Sequence, residues 1–146
     1  MNEAEANEIR TKALAKQNPP GTTWRDFISA RFIGRIPDNI CEAPAMLVIH
    51  NTLATPKSDT EATVSGFFEY STDPHAAQLG GLDGVINLVT RQFTFSDRSP
   101  TDPWTFSGTI SPNGRVWEVA LVFEDGYTSD TFSLIHEDTF GEFMPQ

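Results

Sequence analysis

The alternation of apolar and polar residues is clearest between residues 104 and 134, where it predicts a β-meander. In the stretch 104–110, Trp, Phe and Ile fall on one side of an extended chain, and Thr and Ser fall on the other. Residues 111–114, Ser-Pro-Asn-Gly, are typical of a type I turn, because proline presets φ at the second position. The chain returns as the apolar run 116–123 and, after a second turn, continues at 131–134.

Earlier parts of the chain predict further strands. Residues 45–50 are almost fully apolar, which is typical of a strand buried on both faces. Residues 61–70 alternate, with Gly66 marking a bulge or a close approach to the backbone, and residues 85–95 are extended again. The tail, residues 139–146, is either a last short strand or a docked coil. We therefore predict a mainly β fold, an antiparallel β-barrel or strongly curved sheet of about 6–8 strands with one or two short N-terminal helices.

Helical propensity is confined to the N-terminus. Residues 2–17 are rich in Ala, Glu, Lys and Arg, but Ile9 and Leu14 are their only large apolar residues. We therefore expect residues 1–20 to form a loosely docked helical arm.

A second helix is predicted after the Pro-Pro-Gly break at residues 19–21. Thr22 or Thr23 would cap it, and Asp26 would complete a capping box. A strand over residues 32–36 is the alternative. The apolar residues that recur at helical spacing are Trp24, Phe27, Ile28 and Phe32.

The length and composition fit one domain, residues 1–146, whose core needs no disulfide or metal. Eleven Phe and three Trp predict an aromatic-rich interior. The single Cys41 excludes an internal disulfide and fits a reducing compartment. The first residues lack the pattern of a secretion signal, and no stretch approaches about 20 apolar residues, so we expect a cytoplasmic protein.

The formal net charge of −10 is unevenly spread, since residues 37–146 carry four bases against sixteen acids. An acidic surface repels both nucleic acid phosphates and anionic lipid headgroups. We therefore expect no nucleic acid and no membrane among the partners.

Motifs for metal binding and covalent chemistry are weak. His50, His75 and His136 show neither HxH nor HExxH spacing, so no metal and no cofactor are predicted. Residues 80–84, Gly-Gly-Leu-Asp-Gly, resemble a phosphate-binding loop only superficially, because a strand pattern follows where a helix N-terminus is required. Cys41 has no adjacent base and no GxSxG motif is present, so nucleophilic catalysis has no support.

Glu118 interrupts a strand that is apolar on both faces. Trp117 lies on one face, and Val116, Ala120 and Val122 make the other face mostly apolar as well, so something must cover each side. A carboxylate there needs a partner. It would act as a general acid or base in a pocket, or it would reach water at the margin of the sheet. The predicted catalytic residues are Glu118, His136 and Tyr70.

The aromatic residues are candidates first for the core and second for a binding site. A barrel of about eight strands has an interior that side chains just fill, or that holds one small ligand where some side chains are short. Gly66 and Gly108 are such short positions, and the helix around Trp24 would close one end. The predicted ligand-binding residues are Trp24, Phe68, Phe93, Trp104, Phe106, Trp117 and Phe123.

A short helix followed by antiparallel strands resembles the architecture of the lipocalin-like calycins, which begin with a Gly-x-Trp motif. The nearest match, Gly21-Thr-Thr-Trp24, is longer by one residue and the other hallmarks are absent, so no family is assigned. By fold analogy alone, small antiparallel barrels carry apolar ligands or act as cyclases and isomerases that mould a substrate.

The predicted function is the binding of a small, largely apolar or aromatic molecule in an aromatic-lined barrel cavity, with cyclase- or isomerase-type chemistry as an extension. One alternative is a non-enzymatic β-sandwich module for protein–protein interaction. A second alternative is a cone-shaped α+β enzyme, with the N-terminal helices packed into a curved sheet. A homodimer through the outer face of strand 116–123 is a further expectation.

Overall fold

The computed structural model describes residues 2–37, 45–72, 76–97 and 104–141. The helices are α1, Glu3–Ala15, and α2, Glu137–Phe140, and a single 3-10 turn spans Trp24–Phe27. Predictions made for Cys41, His75 and residues 142–146 lie outside the described residues. The strands in the described part of the chain are β1 Arg31–Arg35, β2 Ala45–Pro56, β3 Glu61–Thr72, β4 Ala76–Asn87, β5 Gln92–Asp97, β6 Trp104–Ile110, β7 Val116–Phe123 and β8 Phe132–His136.

The strands form a closed antiparallel barrel. Each strand pairs with the next one in sequence, and β1 pairs with β8 to close the sheet, with Phe32 opposite His136 and Ile33 opposite Ile135. The predicted mainly β fold is therefore confirmed. The β-sandwich alternative is wrong, because a closed barrel is one continuous sheet with no second sheet facing it. The α+β cone is also wrong, because α1 packs on the outer face of the sheet.

The meander predicted over residues 104–134 is confirmed as β6, β7 and β8. The turn between β6 and β7 is closed by a 2.9 Å hydrogen bond from the Gly114 N–H to the Ser111 carbonyl, and Gly114 has a φ of +79°. The sequence predicts a bulge or a close backbone approach at Gly66, and the structure has a bulge on β2, the strand that pairs with Gly66, and not on β3. The register partner of Gly66 is Asn51, and the bulge lies next to it, between Asn51 and Leu53 of β2.

The prediction of one extended segment over residues 85–95 is wrong. Strand β4 ends at Asn87, and β5 begins only at Gln92. The Asn87 side-chain oxygen accepts hydrogen bonds from the backbone N–H groups of Val89 and Thr90, both at 2.9 Å, which folds the chain into a turn. The glycines at 80–84 lie inside β4, so they form part of the sheet and no phosphate-binding loop.

The second N-terminal helix is also corrected by the structure. The predicted capping box is present, with the Thr23 N–H donating to the Asp26 carboxylate at 2.7 Å, but it supports only the one 3-10 turn. The chain then enters β1, as the alternative had it. Phe32 and Ile36 are almost completely buried, and β1 pairs with β2 along its whole length. Pairing on both sides therefore overrides the helical spacing of these apolar residues.

Aromatic rings fill the middle of the barrel. The indole of Trp117 lies 4.6 Å from the ring of Phe32, 4.8 Å from Phe93 and 5.2 Å from Phe95, measured between centroids. These distances are typical of packed aromatic pairs. The 3-10 turn closes one end of this core, where the Arg25 guanidinium donates to the Leu88 carbonyl at 2.9 Å.

Helix α1 packs on the outer face of the barrel. Ile9 and Ala13 are completely buried against Val116, Ile135 and Phe140. The helix therefore covers the start of the outer face of β7, the face that the sequence shows must be covered. How firmly the whole arm 1–20 docks stays a prediction.

The C-terminal end of α1 is also fixed by hydrogen bonds. The side-chain amide of Asn113, from the turn between β6 and β7, donates to the carbonyls of Ala13 at 2.7 Å and Lys16 at 3.0 Å. These bonds satisfy carbonyls that the end of a helix leaves without partners.

Strands β6 and β7 approach each other so closely at Gly108 that there is no room for a side chain. A Cβ atom at this position would lie 1.7 Å from the backbone carbonyl oxygen of Glu118, so the strands must shift to admit it. We expect Gly108→Ala to lower the free energy of unfolding by at least about 2 kcal/mol, measured by urea denaturation. Thr109→Ala, at the exposed neighbouring position, is the control. Equal stability of the two variants would contradict this account.

Candidate functional site

Four aromatic residues form a cluster at the end of the barrel opposite the 3-10 turn. Trp104 begins β6 and lies opposite Phe123, which ends β7. Their rings meet edge to face at 5.5 Å, and the ring of Phe68 stacks on Trp104 at 5.7 Å. Phe106 lies 5.9 Å from Phe68 and 6.3 Å from Trp104. We call Phe68, Trp104, Phe106 and Phe123 the mouth cluster.

Burial decreases across the mouth cluster from the core to the barrel end. Phe106 is completely buried and Phe68 nearly so, whereas Trp104 and Phe123 are only partly buried. Tyr127, 6.3 Å from Phe123, is half exposed. The cluster therefore presents apolar ring surface at the barrel end while it remains continuous with the core.

The structure separates the predicted ligand-binding residues into three locations. The four residues of the mouth cluster lie together. Phe93 and Trp117 belong to the packed centre of the barrel, and Trp24 is at the opposite end, where the carbonyl of Trp24 lies next to Gly114. The Trp117 indole N–H is buried and has no hydrogen-bond partner among the described residues.

Glu118 lies on the outer face of the barrel, between α1 and β8. Its Oε1 accepts a hydrogen bond from Arg10 Nε at 2.6 Å, and its Oε2 accepts one from the Ser133 hydroxyl at 2.8 Å. The side chain is 33% exposed. The partner that this carboxylate was expected to need is therefore the helix of its own chain.

His136 lies at the other side of the sheet from Glu118. It ends β8 and caps α2, where its Nδ1 accepts a hydrogen bond from the Asp138 backbone N–H at 3.0 Å. Its ring meets Phe27 and Phe32 edge to face, at 6.0 and 5.3 Å. The structure does not bring His136 and Glu118 together. Tyr70 is a backbone member of β3, and its side chain lies outside the described residues.

Arg115 is a site residue that the sequence did not reveal. Its side chain is only 6% exposed, and Nε donates to Asp138 Oδ2 at 2.9 Å. Nη1 donates to Asn18 Oδ1 and, at 3.2 Å, to the Asn113 carbonyl, while the guanidinium lies 4.0 Å from the ring centre of Phe27. A charged residue directly after a turn is usually solvated, so no local signal indicates that it is buried.

Burial and charge shift two pKa values beside Arg115. Burial lowers the pKa of His136 below the ordinary histidine value of 6.5, and the nearby carboxylates of Asp138 and Glu137 offset this only in part. Burial alone would raise the pKa of Asp138, but hydrogen bonds from Arg115 and Thr139 outweigh it and hold that pKa below 3.8.

A groove of about 440 Å³ runs along the outer face of the barrel beneath α1. Helix α1 forms one wall, and β1 and β8 form the floor. Its volume is within the range of small-molecule sites, about 300–1,000 Å³. The residues that define this α1 groove are Glu3, Arg10, Ile33, Glu118, Ser133 and Ile135.

Neither models of known protein families nor curated proteins gave a match to this chain. In the described ranges, no three His, Cys, Asp or Glu side chains group as a metal site would require. Neither α1 nor α2 is long and apolar enough to cross a membrane, and no other helix occurs in the described part of the chain.

The contribution of Arg115 to stability can be measured against a second arginine–carboxylate pair. Arg115→Met leaves Asp138 without its main partner and removes the contact with Phe27, so we expect a loss of about 2–4 kcal/mol in the free energy of unfolding. Arg31 binds Glu137 at 2.9 Å, but both side chains are largely exposed. Arg31→Met should therefore cost less than about 1 kcal/mol. Similar losses in urea denaturation would contradict the role given to Arg115.

The lowered pKa of His136 predicts a loss of stability in mild acid. Below pH 6.5 the unfolded chain binds a proton at His136, whereas the native state does not yet do so. The free energy of unfolding therefore decreases as the pH is lowered from 6.5 towards the pKa of the folded state. Asp138 contributes only below pH 3.8. His136→Asn keeps an acceptor for the Asp138 N–H but does not titrate. Urea denaturation at about pH 7.5 and about pH 5.5 should show a smaller loss for the variant. Equal losses in both proteins would rule out this assignment.

Proposed function

We propose that the protein binds a small, largely apolar or aromatic molecule at the mouth cluster. The observation that carries the proposal is the stacked pair of Phe68 and Trp104, in which Phe68 is buried in the core and Trp104 is partly exposed. A flat apolar molecule that covers the exposed part of Trp104 removes further ring surface from water. Burial of this kind is the main favourable term in the binding of such ligands.

The mouth cluster suits a ligand better than the centre of the barrel does. The rings of Phe32, Phe93 and Phe95 each pack on Trp117, and all four residues are at most 3% exposed. A ligand there would have to displace side chains from a packed core, which is costly. At the mouth, Trp104 and Phe123 are only partly buried, so a ligand can contact their rings without displacing side chains of the packed core. The binding proposed here therefore involves four of the seven residues expected from the sequence.

The proposed function is limited to ligand binding. The cyclase- or isomerase-type chemistry expected by analogy would need polar groups beside the bound molecule. Glu118 is engaged by Arg10 and Ser133 on the outer face, and His136 caps α2 at the other end of the barrel. The homodimer through the outer face of β7 stays a prediction, and α1 already covers Val116 on that face.

The proposal is tested with N-phenyl-1-naphthylamine, a neutral aromatic probe whose fluorescence rises in apolar surroundings. We expect the full chain to bind it saturably and Trp104→Ala to weaken binding by about tenfold, because the stacking surface is lost. Phe67→Ala is the matched control, since Phe67 is an aromatic residue on the outside of the barrel with 38% exposure. Thermal melting of each variant without probe verifies its fold. Absence of saturable binding, or equal weakening by both substitutions, would refute the proposal.

A further inference from the structure

The two halves of α1 meet the barrel differently. The C-terminal half is anchored by the buried Ala13 and by the bonds from Asn113, and Ile9 is buried in the middle of the helix. The N-terminal half has no buried residue. Glu3 of that half lines the α1 groove, as does Arg10, which directly follows Ile9. The groove is thus walled by a helix that is fixed at one end. Its floor carries the apolar side chains of Ile33 and Ile135.

Arg10 is oriented across this groove. It uses Nε for Glu118, and Glu118 is held in turn by the Ser133 hydroxyl. The two terminal amino groups of Arg10 make no hydrogen bond with the described residues, and the side chain is 41% exposed. A guanidinium whose Nε is fixed in this way presents both amino groups in one plane. That arrangement matches the two oxygens of a carboxylate.

The charges around Arg10 restrict which carboxylate would fit. Among the described residues, three acidic side chains, Glu3, Glu118 and Asp130, and two basic ones, Arg10 and Arg35, line the groove. A simple anion would be repelled by the excess of carboxylates, and a simple cation would compete with Arg10 for Glu118. A molecule with an ammonium group beside its carboxylate adds no net charge. Each of its charges meets an opposite charge in the groove.

We propose that the α1 groove binds a zwitterionic α-amino acid with an apolar side chain. The carboxylate accepts hydrogen bonds from the terminal amino groups of Arg10, and the ammonium group faces the acidic side chains of the groove. The apolar side chain packs on Ile33, which is only partly buried at the edge of the cluster beneath α1. This site lies on the outer face of the barrel and is independent of the mouth cluster.

The proposal is tested by titrating the isotope-labelled full chain with L-leucine and following backbone amide shifts by NMR. Two compounds, each lacking one charge, are the ligand controls: 4-methylpentanoate has no ammonium group, and 3-methylbutylamine has no carboxylate. We expect saturable shifts with L-leucine in α1 and β8, and affinities at least about tenfold weaker for each control, because each lacks one charge-assisted contact.

Two variants test whether Arg10 binds the carboxylate of L-leucine. Arg10→Gln should weaken L-leucine binding by about tenfold or more. Lys12→Gln removes the same charge from the same helix outside the groove and should leave the affinity unchanged. The shift pattern of each free variant shows whether α1 remains docked. If Arg10→Gln undocks the helix, Arg10→Lys retains the charge without the planar pair of donors and should still weaken binding. Absence of shifts, or 4-methylpentanoate binding as tightly as L-leucine, would overturn the proposal.

Discussion

The pairing of β1 with β8 is the constraint on which the rest of the structure depends. Strand β1 is five residues long, and its register with β8 covers only Phe32 with His136 and Ile33 with Ile135. The approach requires Gly34, because a Cβ there would lie 2.2 Å from the Ser133 carbonyl oxygen. Without the pairing of β1 with β8, the edges of these two strands would present unpaired backbone N–H and C=O groups. The aromatic interior would then open to water.

Strand β8 also positions polar groups on the outside of the barrel. Ser133 and Ile135 lie on the outer face of β8, where Ser133 binds Glu118 and Ile135 packs under α1. At the end of β8, His136 caps α2, and α2 carries Asp138, which binds Arg115. A short strand thus connects the docking of both helices to closure of the barrel. Each network is also joined to the N-terminal part of the chain, by Arg10 with Glu118 in one and by Asn18 with Arg115 in the other. These two contacts connect residues about one hundred positions apart.

The two proposed sites differ in the interactions that would select a ligand. At the mouth cluster, ring stacking and apolar burial dominate, which favours flat molecules without strict demands on their polar groups. In the α1 groove, a half-buried ion pair and an apolar floor favour a molecule with matching charges. The net charge of −10 acts differently on the two sites. It matters little for a neutral aromatic molecule, but it disfavours a simple anion in the groove.

By itself, the sequence determined the meander, the turn at residues 111–114, the capping box at Thr23 and the need for a cover on the outer face of β7. Each of these follows from local spacing or from the period of two along a strand. Only the tertiary structure decided that the cover is α1, that Phe32 belongs to a strand, and that Arg115 is buried beside Asp138. The physical reason is that these features depend on partners far away in the chain. The apolar residues of β1 fit helical and extended spacing equally well, and pairing with β2 and β8 selects the strand.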